Sequence, residues 1–497
     1  MEENLSAENR SSLEKTGNLN SGDKKYFLSG TLQEDMAYLN QALGVETNFD
    51  VIYRVVHIGG KEACMYLVDG FCKDDLAQKL LQYFMDLTPD KMPEDMHMLS
   101  KQCTPYVEVD IEDKYETLIT SLLSGMFLLL IDGYQKALVI DSRTYPSRGV
   151  EEPEKDKVLR GSKDGFVETL VSNTALIRRR IRSAELHMEM LTAGESSHTD
   201  IVLCYMNDRV DQKFLQEIRG KIKAIRVDSL TMNQESLAEC LYQRRWYNPF
   251  PKFKYTERPD TAAAQVLEGN IVILVDNSPS AMILPTTIFD VVEEADDYYF
   301  PPITGTYLRI TRFLISLFTY IMTPTFLLLM NHVEWVPESF SFIVLKEEPN
   351  IPLIWQFLIL ELAIDGLKLA AVNTPNMLST PLSVMAALVL GEFSVNSGWF
   401  SPEVMLYMAF VAIANYTQAN YELGYALKFL RIINLLLTQW FGLWGYIAGI
   451  LIAILAVCCN RTVSRRSYIY PLVPFDGKKL KNRLIRSRLP GAFDGRK

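Results

Sequence analysis

Glu361, Asp365 and Lys368 stand at i, i+4 and i+7 of an otherwise apolar segment, Ile351–Ala371, so they share one face of any helix formed there. In hydrocarbon such a face is costly and must point at protein or water. The chemistry it offers is handling of ions rather than bond making. It could line a pore or gate, or it could hold helices together in a bundle. Glu392 is a further candidate for the pathway, beside Gly391 in Pro381–Val395, a segment short enough to be re-entrant. Catalytic spacings are missing. There is no P-loop, nucleophile elbow, HExxH or dinucleotide-binding motif. The five histidines are isolated in sequence, and the seven cysteines form no CxxC pair or zinc-spaced cluster. We therefore expect no enzyme, no metal and no cofactor, and free thiols in a reducing compartment.

Two further groups carry charge in a pattern. Arg178-Arg179-Arg180, followed by Ile181-Arg182, suits an anion or lipid-headgroup contact, or else a solvated helix face pairing with acids of a neighbouring subunit. Thr256-Glu257-Arg258-Pro259-Asp260 falls between the soluble and apolar halves of the chain. It reads as a coupling element, or as a turn holding an interdomain salt bridge.

The elements that must position these residues follow from charge and periodicity. Of 497 residues, 1–306 carry 33 Lys/Arg against 49 Asp/Glu, 307–459 carry 6 against 9, and 460–497 carry 11 against 2. An acidic soluble region, a membrane block and a basic tail result, and nucleic acid is excluded as a partner. Met1–Asn20 begins acidic and has no apolar core, which predicts a disordered lead rather than a signal peptide. In the soluble region Val51–Ile58 and Ala63–Val68 read as a hairpin, followed by a helix over Asp74–Met85. Strands are expected at Met126–Ile131, Ala137–Asp141, Ile201–Tyr205, Asn270–Val275 and Ala281–Leu284, and helices over Phe166–Leu191 and Asp211–Ala224. The fold class is α/β in two soluble subdomains, then an α-helical polytopic membrane domain. The expected boundaries are a lead to 30, subdomains over 31–150 and 151–300, a membrane domain over 301–460 and a basic tail over 461–497.

Phe313–Met330 is long enough to span, and Pro324 should kink it. Arg309 and Arg312 precede it, which predicts that end to be cytoplasmic, together with the basic tail. Phe429–Cys459 is long for one straight span, and is expected to be tilted or broken near Trp440–Trp444. Four spans plus one re-entrant segment fit this pattern best.

Several motifs agree, in order, with one family. Glu151–Arg182, with Arg160-Gly161, Gly165-Phe166, Glu168 and Asn173, resembles the block that marks the A subunits of GerA-type spore germination receptors. Asn248–Asp260, Asp296–Tyr299 and the closing Arg466-Ser467-Tyr468 motif are similar to its other markers. Asp365–Pro375 departs from the receptor pattern and resembles the stage V sporulation AF branch of the family. The resemblance implies a multi-pass protein of the spore inner membrane with its soluble lobes on the core side. It also implies a homo-oligomer in contact with membrane lipid and other spore membrane germination proteins, passing ions or promoting dipicolinate release. A scaffold that clusters receptors or dipicolinate channel proteins is the alternative. On this reading Glu361, Asp365, Lys368 and Glu392 serve the pathway or gate. Arg160, Gly165, Arg178, Arg179, Arg180, Glu257, Arg258 and Asp260 serve coupling or interfaces.

Overall fold

The computed structural model describes residues 26–72, 74–143, 161–243, 246–373, 393–418 and 420–486. Two compact units emerge: one of residues 1–147, 169–190 and 202–208, the other of 148–168, 191–201 and 209–497.

The first unit opens with α1 (Leu32–Leu43) and the hairpin β1 (Val51–Ile58) and β2 (Lys61–Val68), paired from Val51 opposite Val68 to Ile58 opposite Lys61. Then come α2 (Asp74–Met85), α3 (Met96–Gln102), β3 (Val109–Glu112), α4 (Tyr115–Leu123), β4 (Phe127–Ile131) and β5 (Ala137–Ile140). The sheet runs β1-β2-β4-β5-β3, every pair antiparallel. Every residue of β4 and β5 is buried, because both faces of these central strands are covered. Leu128 and Leu130 join Leu39 and Leu118 on one face, while Leu129 and Ile131 join Leu80 and Leu99 on the other. The two-residue period thus divides one apolar run between two cores.

After α5 (Leu170–Arg180) the chain forms β6 (Leu186–Ala193), β7 (Thr199–Met206), α6 (Gln212–Lys223), α7 (Gln234–Leu241), β8 (Lys254–Thr256), α8 (Pro259–Leu267), β9 (Ile271–Val275) and β10 (Ala281–Leu284). The helix expected over Phe166–Leu191 therefore ends at Arg180, and its last residues, from Leu186 on, are strand. Leu, Met and Glu favour helix there, yet Leu186 and Met188 point inward with strand alternation. The second sheet runs β6-β7-β9-β10-β8, the order of the first sheet displaced by five strands. The likeness extends to residues. From Gly125 to Ile140, each position has a counterpart 144 places later, without gaps: Gly125 and Gly269, Asp132 and Asp276, Ala137 and Ala281. The nine-residue helices α4 and α8 occupy matching positions. The soluble region contains one supersecondary unit twice.

Beyond β10, α9 (Ile288–Val292) and α10 (Asp296–Tyr299) lead into α11 (Pro302–Asn331), which continues through Pro324. A helical bundle follows: α12 (Leu353–Asn373), α13 (Pro402–Tyr416) and α14 (Tyr421–Cys458), with a short amphipathic α15 (Gly477–Leu484) in the tail. α14 is two rods. Gly442 has φ 55° and ψ −131°, a backbone open to glycine, and the chain reverses there, inside the stretch where a break is expected. Gly445 lies against the carbonyl of Leu437, and Gly449 against Asn434, contacts a straight helix could not make. Small residues let the two arms touch. Residues 374–392, with the expected re-entrant segment and Glu392, lie outside the described residues.

Candidate functional site

The polar face of α12 meets charge that comes from the first arm of α14. Arg431 is fully buried and grips Glu361 through Nε at 2.7 Å and Nη2 at 2.5 Å. Its Nη1 donates to the backbone carbonyl of Thr319 on α11 at 3.0 Å. One turn earlier, Lys428 donates to the carbonyl of Glu361 at 3.0 Å and pairs with the Asp365 carboxylate. Lys368 lies over the rings of Tyr416 and Tyr425, at 5.5 and 5.8 Å from their centroids. Asn434, Tyr320 and Thr438 continue the seam: Asn434 donates to the Tyr320 hydroxyl at 3.2 Å, which donates to the carbonyl of Gly449 at 2.9 Å. Three helices are thereby joined through a charge-matched interior.

A second cluster gathers where the second sheet runs into α11. Asp297 accepts from Arg309 at 3.3 Å and Arg312 at 2.7 Å. Glu293 pairs with Arg309 at 3.1 Å and with Arg483 of α15 at 2.8 Å, while Tyr298 donates to it and Lys254 donates to its carbonyl at 2.8 Å. Burial pushes the Glu293 carboxyl up, but Arg483, Lys254 and Arg309 outweigh burial and hold it below its ordinary range. Beside this lies Arg258, bound to Asp260 at 2.6 and 3.1 Å and to the carbonyl of Ser162 at 2.9 Å. The Tyr299 hydroxyl donates to Asp260. Burial raises the Asp260 carboxyl, and the bonds from Arg258 and Tyr299 more than reverse that. Gly161, at φ +117°, lies flat on the Tyr299 ring where no side chain would fit. The backbone N–H of Phe166 donates to the Glu257 carbonyl at 2.8 Å, next to buried Gly165.

The structure thus brings Gly165, Glu257, Arg258 and Asp260 together with the Asp296–Tyr299 motif. Arg160 and Glu392 lie outside the described residues. Arg178 is engaged elsewhere. Fully buried in the first unit, it binds Asp50 at 2.8 and 3.0 Å and the Leu186 carbonyl at 3.0 Å, so its guanidinium is closed to a lipid headgroup. Arg179 is exposed and Arg180 half-buried, donating to the Leu176 carbonyl. Sequence reading singles out neither Lys428, one residue before the run Phe429–Cys459, nor Arg431, a lone charge inside it. Their three-residue spacing, against the four of Glu361 and Asp365, is the signal that could have paired the two helices. Among the described residues no cluster of His, Cys, Asp and Glu could hold a metal ion.

Two helices among the described residues are long and apolar enough to cross a membrane, α11 and α14. The reversal at Gly442 divides the length of α14 between two arms. Fold and site define a protein with a duplicated α/β soluble region, continued by a helical bundle with a charged core. The family described as Bacillus/Clostridium GerA spore germination protein matches residues 37–494, and the chain belongs to it. It is 36% identical over 456 residues to stage V sporulation protein AF of Bacillus subtilis (strain 168), covering 92% of each chain. To spore germination protein KA of the same organism it is 27% identical over 479 residues, covering 93% of this chain and 86% of the relative. The crystal structure of the N-terminal domain of the A subunit of the Bacillus megaterium spore germinant receptor GerK3 is 27% identical, covering 53% of this chain and 98% of that one, with a TM-score of 0.41. Membership supports a germination-related role.

Proposed function

We propose that this chain is the ion-conducting or signal-transmitting subunit of a homo-oligomeric germination assembly in the spore inner membrane, promoting ion and dipicolinate release. The soluble sheets and the basic tail face the core side, the side on which Arg309 and Arg312 precede the apolar part of α11. The protein acts with other spore membrane germination proteins and performs no catalysis.

One observation carries this reading: α11 is bonded into both charge clusters. Arg309 and Arg312 tie its start to Asp297, and seven residues further on Thr319 accepts from Arg431. Seven residues of helix are about 10 Å of stiff rod, so a shift at the junction reaches the charged core directly. Charges at membrane depth are tolerated because they are paired. Moving α11 against Arg431 loosens that pairing and opens a polar route.

The test is potassium efflux from liposomes holding the full-length protein, compared with Asp365→Ala and Lys428→Met at equal incorporation. Altered efflux in both variants is expected. A second reading, a non-conducting scaffold, draws on the enclosure of Arg431 and Thr319 within a single chain. Unchanged efflux, together with loss of co-purified membrane partners in the same variants, would support the scaffold instead.

A further inference from the structure

Between α11 and the tail helix α15 lies a cavity of about 550 Å³. Ile310, Phe313 and Leu314 form one wall, and Phe475, Leu480 and Leu484 the other. It sits at a particular level of the molecule. Arg309 and Arg312, interleaved with these wall residues on the adjoining face of α11, are sunk in the ion cluster, whereas Phe313 opens the apolar run. The groove therefore marks the boundary between polar and apolar surroundings of α11. Phe475, Leu314 and Ile310 leave much of their surface exposed around it, at 75%, 48% and 43%.

The rim is cationic. Lys481 borders the cavity, and Lys478, three residues earlier on the same helix face, is exposed like it. Residues 477–486 contain no acid, and the tail from 460 on carries 11 basic residues against 2 acidic. Lys479 is turned to the Tyr470 hydroxyl at 3.0 Å, and Arg483 is committed to Glu293 and Asp290 at 2.8 and 2.9 Å. Lys478 and Lys481 are left facing outward beside an open apolar slot. A short helix with leucines on one face and lysines on another is suited to an interface.

We infer that this groove binds an anionic phospholipid, one acyl chain lying between α11 and α15 and the headgroup phosphate held by Lys478 and Lys481. The occupant's two ends match the site: hydrocarbon for the apolar walls, a phosphate for the lysines. Because α15 also delivers Arg483 to Glu293, a bound lipid clamps the tail against the junction and steadies it. The inference depends on α11 entering a membrane, and is independent of whether the protein conducts.

The full-length protein is reconstituted in discs of phosphatidylcholine with phosphatidylglycerol, and the lipid retained after extraction is measured. Preferential retention of phosphatidylglycerol is expected, reduced about ten-fold in K478E/K481E. The wild type should melt higher in mixed discs than in phosphatidylcholine alone. The variant should melt equally in both, and like wild type in phosphatidylcholine, which shows that it folds. Leu484→Gln, with the lysines kept, should also weaken retention. Equal retention of the two lipids by wild type, or undiminished retention by K478E/K481E, would overturn the site. So would inorganic phosphate alone raising the melting temperature as the lipid does, since the acyl chain would then be irrelevant. Vesicle flotation separates the two levels: a chain that fails to float defeats the membrane reading itself, and one that floats without preference defeats only the lipid site.

Discussion

The two sheets of the soluble region share a strand order and a gapless run of matched residues, yet they treat the same positions differently. At the start of α4 the first reads Lys114-Tyr115-Glu116-Thr117, with Lys114 and Glu116 exposed. At the start of α8 the second reads Arg258-Pro259-Asp260-Thr261, and here Arg258 is buried against Asp260, Tyr299 and the Ser162 carbonyl. The scaffold is repeated, while at these matched turns, among the described residues, a buried ion pair is present only in the copy that runs into the bundle. Strand order sets where a turn falls. What the turn carries depends on what covers it.

The first unit has a buried pair of its own, Arg178 with Asp50, and this allows the most severe test. Arg178→Met strands Asp50 without its cation, and should cost about 3–5 kcal/mol in thermal melts of the full-length protein. If efflux per folded molecule also changed, this pair too would be coupled to the bundle, and the contrast with the turn at Arg258 would fail. Next, Arg258→Ala should cost about 3 kcal/mol. Its counterpart Lys114→Ala should stay within about 0.5 kcal/mol. Equal costs would mean that the matched turns are equivalent after all. A smaller effect is expected for Gly161→Ala, about 1–3 kcal/mol, because a left-handed φ is combined with a Cβ aimed at the Tyr299 ring; Tyr299→Ala in the same chain should remove the steric part only.

The smallest effect concerns pH. The Glu293 carboxyl is held below its ordinary value of 4.5, so the stability it contributes is fully present above about 4.5 and is lost as pH falls through its lowered value. Removing Arg483 takes away the strongest of the opposing cations, so in Arg483→Ala less of this stability is present above about 4.5 and less is lost on acidification. Melting curves of both proteins from pH 7 to pH 3 should converge at the acid end. A constant gap would show that Arg483 acts through packing alone.

Much of this is legible in the sequence. The strands at 51–58, 127–131, 201–205, 271–275 and 281–284 are apolar runs bounded by turn residues, and local pattern is enough for those. The face shared by Glu361, Asp365 and Lys368 is pure helical geometry. The α5–β6 segment misled, because Leu, Met and Glu suit a helix and only sheet pairing makes Leu186–Ala193 a strand. The duplication is faint in the sequence because its two copies agree in pattern more than in identity, Phe127-Leu-Leu-Leu-Ile131 against Ile271-Val-Ile-Leu-Val275.

By itself the sequence determined the class of each half, the family, and the face that Glu361, Asp365 and Lys368 share, since all of these depend on composition and spacing along the chain. Only the tertiary structure decided the partners: Arg431 and Lys428 for Glu361 and Asp365, Arg483 for Glu293, Asp50 for Arg178. Those pairs join residues 63 to 190 positions apart. A buried charge requires a counter-charge within a few ångströms, but which distant residue supplies it depends on how the helices pack and where the chain turns back at Gly442.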